Sequence, residues 1–330
     1  MIRLLVGMVL LVCLVCPAIA GPDAAAVNNA EFKGKVPADD KINPAIVKAQ
    51  VLLDRASFSP GEIDGKLGEN AEKALKAFAE SKGLTVSKQP LTSEVWSALL
   101  AIGSDPAVVD YKITDKDVKG PFLKKLPAKM EDLKDLKSLD YTSPREAIAE
   151  RFHMSEALLA ALNPGKKFDE AGQTIAVVNV AVKESKPAVT RVEVDKASQT
   201  VKAFANSELI AFFPATVGSE EKPSPGGVLK VISIDANPYY RYNPDYKFKG
   251  VKSKRAFKIK PGPNNPVGSQ WIGLSEEGYG IHGTPNPSKV SKSESNGCVR
   301  LTNWDADKLA KLLKKGTEVA FIEREAASKK

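Results

Sequence analysis

One histidine and one cysteine near the carboxyl end of the chain are of the types that nucleophilic catalysis needs. The stretch from Tyr279 to Asn303 reads YGIHGTPNPSKVSKSESNGCVRLTN, and in it His282 precedes Cys298 by sixteen residues. A thiol attacks as the thiolate, and an imidazole within hydrogen-bond reach can accept the thiol proton and lower the thiol pKa. The pair therefore predicts a cysteine nucleophile with a histidine base. The alternative is a buried structural cysteine beside a core histidine.

The other cysteines strengthen the case for a reactive thiol. The chain has three cysteines and two histidines, and Cys13 and Cys16 lie in an apolar run at the amino terminus. If that run is removed on export, Cys298 is the only thiol left, with neither a disulfide partner nor a second sulfur for a metal. We therefore expect no metal, because two distant histidines and one cysteine cannot build a zinc site. No other cofactor is expected either.

Small residues come directly before the cysteine. Ser295, Asn296 and Gly297 precede Cys298, and a glycine there lets backbone N–H groups point at the oxygen that gains charge during attack. These three residues are candidates for an oxyanion hole and for substrate binding.

Arg300 follows the cysteine by two positions. In an extended segment the two side chains lie on the same side of the strand, so the guanidinium can hold a substrate carboxylate beside the sulfur. Tyr279, at the start of the stretch, is a further candidate for substrate binding.

The sequence of the stretch resembles a known family signature. HGT, a Pro/Asn/Ser-rich loop, S-x-G-C-V-R-L and an asparagine before a helix are similar to the motif of L,D-transpeptidases with a YkuD-like catalytic domain. The resemblance extends to PSPGG at 223–227 and PGPNNPVGSQWIGL at 261–274. It implies that Cys298 is the nucleophile, His282 the base, and the Gly283 carbonyl the group that orients the imidazole. Many members have histidine where this chain has Asn296.

The first 41 residues read as a signal for export followed by a flexible lead-in. Residues 1–20 combine Arg3, a short apolar run and Ala18-Ile19-Ala20, which is typical of a cleaved signal peptide. The run is too short to span a bilayer, so no membrane anchor is expected after cleavage; a retained anchor is the alternative. Residues 21–41 have no period and predict a flexible lead-in.

Residues 42–103 show helical periodicity around a loop. A first-helix Gln50, a D-G-x-x-G turn at 64–68, Phe78 and Trp96 resemble the three-helix peptidoglycan-binding domain. Asp64 is expected to tie the loop to backbone N–H groups. The alternative is a generic helical prodomain.

Residues 104–140 mix lysine and aspartate and predict a connector. Residues 141–183 predict a helix from Pro144 capped by Ser143, then a helix at 155–162 and a strand. The segments ERFHMS, LLAALNPG and GQTIAV resemble a LysM module, a glycan-binding β-α-α-β unit. The G-D-T that usually follows the first strand of a LysM module is missing here. His153 is expected to be a structural or surface residue rather than a catalytic one, with no partner nearby in sequence.

After Lys186-Pro187 the apolar period becomes two, which predicts a β-rich sandwich or barrel-like domain over 188–323. A single helix from Asn303 and a last strand from Glu318 to Ile322 close it, and 324–330 is a charged tail. The expected fold is therefore multidomain α+β: a small three-helix domain, a LysM-like segment and a YkuD-type catalytic domain.

The resemblance implies an exported L,D-transpeptidase of the periplasm or cell envelope. It would act on peptidoglycan tetrapeptide stems through a Cys298 thioester, forming 3-3 cross-links or attaching a wall-linked protein amine, and carbapenems would acylate it. The alternatives are a cysteine peptidase that trims stems and a non-catalytic peptidoglycan-binding protein. The net charge of +8 suits anionic wall polymers, and no nucleic-acid signature is present. Residues 42–103 are expected to concentrate the enzyme on the wall, with residues after about Lys186 sufficient for chemistry.

Overall fold

The computed structural model describes residues 22–36, 40–181, 187–218, 223–246, 251–293 and 297–323. The predicted signal peptide (1–20), the charged tail (324–330) and two candidate site residues, Ser295 and Asn296, lie outside the described residues. Within those ranges no helix is both long and apolar enough to cross a membrane.

Four helices form the amino-terminal part of the structure. They are α1 (Ala24–Asn28), α2 (Pro44–Arg55), α3 (Glu69–Ser81) and α4 (Ser93–Leu100). The Asn43 side chain caps α2 by accepting from two backbone N–H groups, with proline in the first turn. The Thr92 side chain caps α4 by accepting from Val95 N. We call α2 to α4 with their loops the helical unit; its core includes Leu53, Phe78 and Trp96.

Gln50 holds the turn of the helical unit. Its Nε2 donates to Asp64 Oδ1 at 2.9 Å and its Oε1 accepts from Gly65 N at 2.8 Å. Asp64 Oδ1 also accepts from Lys66 N at 2.9 Å, so the prediction that Asp64 ties the loop to backbone N–H groups is confirmed.

The next part of the chain is a two-stranded sheet with helices. Its elements are β1 (Val108–Lys112), α5 (Asp115–Lys119), α6 (Met130–Leu133), α7 (Pro144–Arg151), α8 (Glu156–Leu162) and β2 (Thr174–Val178). Ser143 caps α7 as predicted, accepting from Glu146 N. The strands are antiparallel, with Val108 opposite Val178. The stretch predicted as a connector therefore begins with a strand, because its polar sequence becomes extended only by pairing with a strand more than sixty residues later.

The remaining elements build the large sheet. They are β3 (Arg191–Asp195), β4 (Thr200–Ala205), β5 (Glu208–Pro214), β6 (Thr216–Val217), β7 (Gly227–Ala236), β8 (Tyr240–Tyr242), β9 (Phe257–Ile259), β10 (Gln270–Leu274), β11 (Gly280–His282), β12 (Val299–Arg300), α9 (Asn303–Leu312) and β13 (Glu318–Ile322). The predicted single helix and last strand are confirmed. In the described part of the chain the sheet order is β5-β4-β3-β13-β7-β10-β11-β12-β6, with β8 and β9 paired as a separate hairpin.

The sheet curves back on itself. Strands β5 and β6 lie at opposite ends of the sheet order, yet only Ala215 separates them in the chain. The two edges must therefore approach each other, which gives the barrel-like shape that the sequence predicts. The enclosed core is lined by alternate residues of the strands and by the inner side of α9, including Val192, Ile272 and Leu309.

Strand β5 is buried on both faces. Phe212 packs with the helical unit, whereas Phe213 packs in the core of the large sheet. Two backbone hydrogen bonds join the units here, from Ser59 N to Phe212 O at 2.8 Å and from Phe212 N to Ser57 O at 2.9 Å. The helical unit and the large sheet consequently pack against opposite faces of the same strand, β5, each with its own apolar core.

Charged side chains connect α9 to the upstream units. Buried Asp54 of α2 contacts Lys308 Nζ at 3.1 Å and His153 Nδ1 at 2.9 Å, and the imidazole stacks on Trp304 with ring centroids 5.2 Å apart. His153 is thus structural, as predicted, and its partners come from distant parts of the chain.

Candidate active site

Parallel pairing of β11 with β12 brings the predicted catalytic residues together. Ile281 is opposite Val299 and His282 is opposite Arg300, and Leu301 N donates to His282 O at 2.8 Å. Val299 is fully buried in the sheet core, while its neighbours Cys298 and Arg300 both line the cavity described next. The predicted sharing of one strand face by Cys298 and Arg300 agrees with this arrangement.

The cavity has a volume of about 650 Å³ and contains the thiol, the imidazole and the guanidinium. Its lining comprises Met130, Asp235, Ala236, Asn237, Pro238, Tyr239, Tyr240, Arg241, Pro266, Val267, Trp271, Gly278, His282, Cys298 and Arg300. This size suits a peptide or a small molecule.

His282 has a defined tautomer. Its Nδ1 lies 2.6 Å from the Gly283 carbonyl oxygen, and because a carbonyl only accepts, Nδ1 must carry the proton and Nε2 must be free to accept one. The imidazole also stacks on Trp271, with centroids 5.8 Å apart and planes 18° apart. Burial, with the Arg300 charge as the second cause, lowers the pKa of His282 to about 3, so the ring is neutral at physiological pH.

Cys298 is held at the cavity by backbone groups. Its Sγ contacts the Gly278 carbonyl at 3.5 Å. Burial raises the pKa of the Cys298 thiol, while a backbone hydrogen bond from Gly280 and the Arg300 charge act in the opposite direction. The expected lowering of the thiol pKa is therefore not observed, because loss of hydration outweighs the favourable charges. The resting pair is a neutral thiol and a neutral imidazole.

The turn before the cysteine depends on glycine and on a distant serine. Gly297 has a φ of +96°, a backbone conformation that other residues rarely adopt. Ser224, in the PSPGG segment, is buried and donates from Oγ to the Gly297 carbonyl at 2.6 Å. The PSPGG segment was part of the family resemblance, but the sequence did not predict that Ser224 contacts the turn before Cys298.

Arg300 and Tyr279 differ in their relation to the cavity. Arg300 lines it, and burial lowers the pKa of Arg300 while the neighbouring Cys298 raises it. The pKa of Tyr279 is raised, first by burial, then by the charge of Glu276 and last by that of Cys298. Tyr279 is not part of the lining, so the cavity supports substrate contact for Arg300 but not directly for Tyr279.

One wall of the cavity was not predicted. It consists of residues 235–241, from the end of β7 to the start of β8, and Met130 of α6. Leu133 and Leu139 pack against Ile259 of the hairpin, and Leu139 N donates to Pro261 O at 2.9 Å. The sequence contains no local signal for this wall, because its parts are more than a hundred residues apart.

Comparison with known proteins agrees with the geometry. A family model for the L,D-transpeptidase catalytic domain, YkuD, matches residues 189–320. YqjB of Bacillus subtilis, which is named as an L,D-transpeptidase, is 30% identical over 136 residues that cover 39% of this chain and 69% of the relative. This chain belongs to the L,D-transpeptidase family. It is an enzyme, and its carboxyl-terminal domain is the YkuD-type catalytic domain.

One more curated protein and one solved structure are also similar to this L,D-transpeptidase. YkuD of Bacillus licheniformis, also named as an L,D-transpeptidase, is 28% identical over 178 residues, covering 53% of this chain and 92% of the relative. The structure of L,D-transpeptidase 3 from Mycobacterium tuberculosis with a faropenem-derived adduct aligns with a TM-score of 0.35 and 17% identity, over 46% of this chain and 67% of that chain. The predictions that the helical unit resembles a peptidoglycan-binding domain and that residues 141–183 resemble a LysM module stay predictions.

Proposed function

We propose that this chain is an exported L,D-transpeptidase that transfers the acyl group of peptidoglycan tetrapeptide stems through a thioester on Cys298. The observation that carries the proposal is the parallel register of β11 and β12, which places His282 beside the Cys298–Arg300 segment at one cavity. Export rests on the signal-peptide pattern of residues 1–20, and the periplasm or cell envelope is the compartment where the enzyme would meet its substrate.

The proposed reaction begins from the neutral pair. When a stem binds, the thiol proton moves to Nε2 of His282 as the sulfur attacks the carbonyl carbon of the third residue. The oxygen of this carbonyl gains charge, and backbone N–H groups of the Gly297–Cys298 turn would stabilise it. The bond to the terminal D-alanine then breaks, and the leaving amine takes the proton from the imidazolium. A thioester on Sγ remains.

The second half of the reaction reverses these roles. An acceptor amine, from another stem or from a wall-linked protein, attacks the thioester carbon and loses a proton to His282 Nε2. The C–S bond breaks, and the sulfur recovers its proton from the imidazolium. Arg300 would hold a substrate carboxylate at the cavity wall, since its planar guanidinium can bind two oxygens at once. The acceptor decides between a 3-3 cross-link and protein attachment.

Mass spectrometry tests this proposal. Purified protein is incubated with tetrapeptide-containing wall fragments and the products are separated by liquid chromatography. Loss of D-alanine with a new amide between two stems is the expected result, and Cys298→Ala should give none. Tripeptide without any coupled product would instead identify a trimming peptidase, and unchanged fragments would leave a binding protein as the better description.

Two further measurements support or contradict the nucleophile. A carbapenem should add once to the wild-type protein and not to Cys298→Ala; an adduct on the alanine variant would refute the assignment. Because the thiol pKa is raised, the rate of alkylation by iodoacetamide should keep increasing as pH rises above 8. A plateau near pH 6 would reveal a resting ion pair and contradict the neutral pair.

A further inference from the structure

The side chain of Asn303 lies at the centre of the backbone that surrounds the catalytic histidine. Its Oδ1 accepts from Ser269 N at 3.1 Å. Its Nδ2 donates to the Pro263 carbonyl at 3.1 Å and to Glu150 Oε1 at 2.8 Å. Because one end of the amide faces a donor and the other faces only acceptors, these contacts determine the orientation of the amide. Each polar atom of the Asn303 side chain is therefore used.

Two glycines allow Asn303 to approach this closely. A Cβ at Gly283 would lie 2.2 Å from Asn303 Oδ1, and a Cβ at Gly268 would lie 2.0 Å from it. Neither position can accept a side chain while the asparagine stays in place. Gly283 is also the residue whose carbonyl binds His282 Nδ1 at 2.6 Å, and its N–H donates to Gln270 O at 3.2 Å. The location of Asn303 thus determines where the carbonyl that orients His282 can lie.

Glu150 reaches this centre from a different part of the chain. It lies at the end of α7, in the LysM-like segment, 153 residues before Asn303. Its Oε1 accepts from Asn303 Nδ2 and also from Tyr141 OH at 3.1 Å. Loss of hydration on burial raises the pKa of Glu150 to about 7. Both donors thus meet at one oxygen of Glu150, which links the Asn303 amide to α7.

We infer that Glu150 is a positioning residue for the catalytic pair, acting through Asn303 on the Gly283 carbonyl and thereby on the His282 imidazole. The inference rests on the proposed role of His282 as the base. It gives the LysM-like segment a part in catalysis that is separate from any binding of glycan, because this segment supplies the acceptor that keeps the Asn303 amide in place.

Two substitutions of similar size separate the hydrogen bond from the packing. Glu150→Gln keeps an acceptor oxygen for Asn303, whereas Glu150→Met fills the site without one. In the full-length mature protein we expect Glu150→Met to lower kcat on tetrapeptide stems by about tenfold or more, the effect of losing a strong hydrogen bond. KM should change by less than about twofold, and Glu150→Gln should retain kcat within about threefold.

A matched control loosens the same interface at another point. His153→Ala removes the stack on Trp304 and the contact with Asp54 but leaves the Glu150–Asn303 bond intact. It should lower the melting temperature and leave kcat within about twofold. If His153→Ala loses as much kcat as Glu150→Met, or if Glu150→Met retains wild-type kcat, the inference is wrong.

Alkylation of Cys298 tests the inference without a peptide substrate. At pH 7.5, Glu150→Met should react with iodoacetamide several-fold more slowly than wild type, and it should have no added effect in a His282→Ala background. An equal slowing in that background would show that Glu150 does not act through the histidine. If the wild type alkylates normally but transfers no acyl group, the proposed function fails while this test of Glu150 still stands. If Glu150→Met does not fold, Asn303→Ala replaces it as the variant with the broken link.

Discussion

Substitution of two adjacent phenylalanines would test whether the helical unit and the catalytic domain fold as one body. Phe212 and Phe213 of β5 point to opposite faces, and they are 2% and 0% exposed. Phe212 lies in the core of the helical unit with Phe58 and Phe78, whereas Phe213 lies in the core of the large sheet. Removing a fully buried phenyl ring typically costs about 3 to 5 kcal/mol. Each alanine variant should therefore lose about this free energy of unfolding.

The shared strand predicts where that loss appears. Because β5 belongs to both cores, both variants should shift one common unfolding transition to lower urea concentration, by similar amounts. The assay is urea denaturation followed by far-UV circular dichroism and by tryptophan fluorescence. Trp96 reports on the helical unit, and Trp271 and Trp304 report on the catalytic domain. A Trp96→Phe background isolates the second signal, and coincident curves indicate a single cooperative unit.

A separate early transition would refute this reasoning. If Phe212→Ala melts the Trp96 signal alone while the catalytic domain keeps its wild-type midpoint, the units are independent. In that case residues after about Lys186 would suffice for chemistry, as the sequence suggested, and the helical unit would only concentrate the enzyme on the wall. Because β5 is buried on both faces, deleting the helical unit should instead expose Phe212 and destabilise the catalytic domain.

Three further substitutions probe charge and substrate contact. Burial raises the pKa of Asp305 to about 6, above the ordinary aspartate value of about 4. Its contribution therefore favours folding while the carboxyl is protonated and is lost as pH rises from about 4 through about 6. Asp305→Asn should flatten the decline of melting temperature across this range. Arg300→Lys should lower turnover of stems by roughly tenfold or more without lowering the melting temperature, and a drop of many degrees with slower Cys298 alkylation would make Arg300 structural. Met130→Ala should raise KM for stems by a few fold without changing the alkylation rate of Cys298, since Met130 lines the cavity. Its control is Leu126→Ala, in the same apolar cluster but outside the cavity lining, which should leave KM unchanged.

Local patterns in the sequence were enough to predict the catalytic strand, the helix at Asn303 and the last strand. Alternation of apolar residues specifies which face of a strand is buried, and caps such as Ser143 define where a helix begins. The types and spacing of His282 and Cys298 likewise indicated the chemistry, because few side chains can serve as nucleophile and base.

Tertiary structure decided what surrounds those residues. The pairing of β1 with β2, the partners of His153 and the bond between Glu150 and Asn303 each join parts of the chain that are more than sixty residues apart. The protonation of the catalytic pair was also decided at this level, since the sequence predicted a lowered thiol pKa for Cys298 and burial raises it. A sequence pattern reports only on neighbours along the chain, whereas hydration and long-range contacts depend on which distant segments the fold packs around a group.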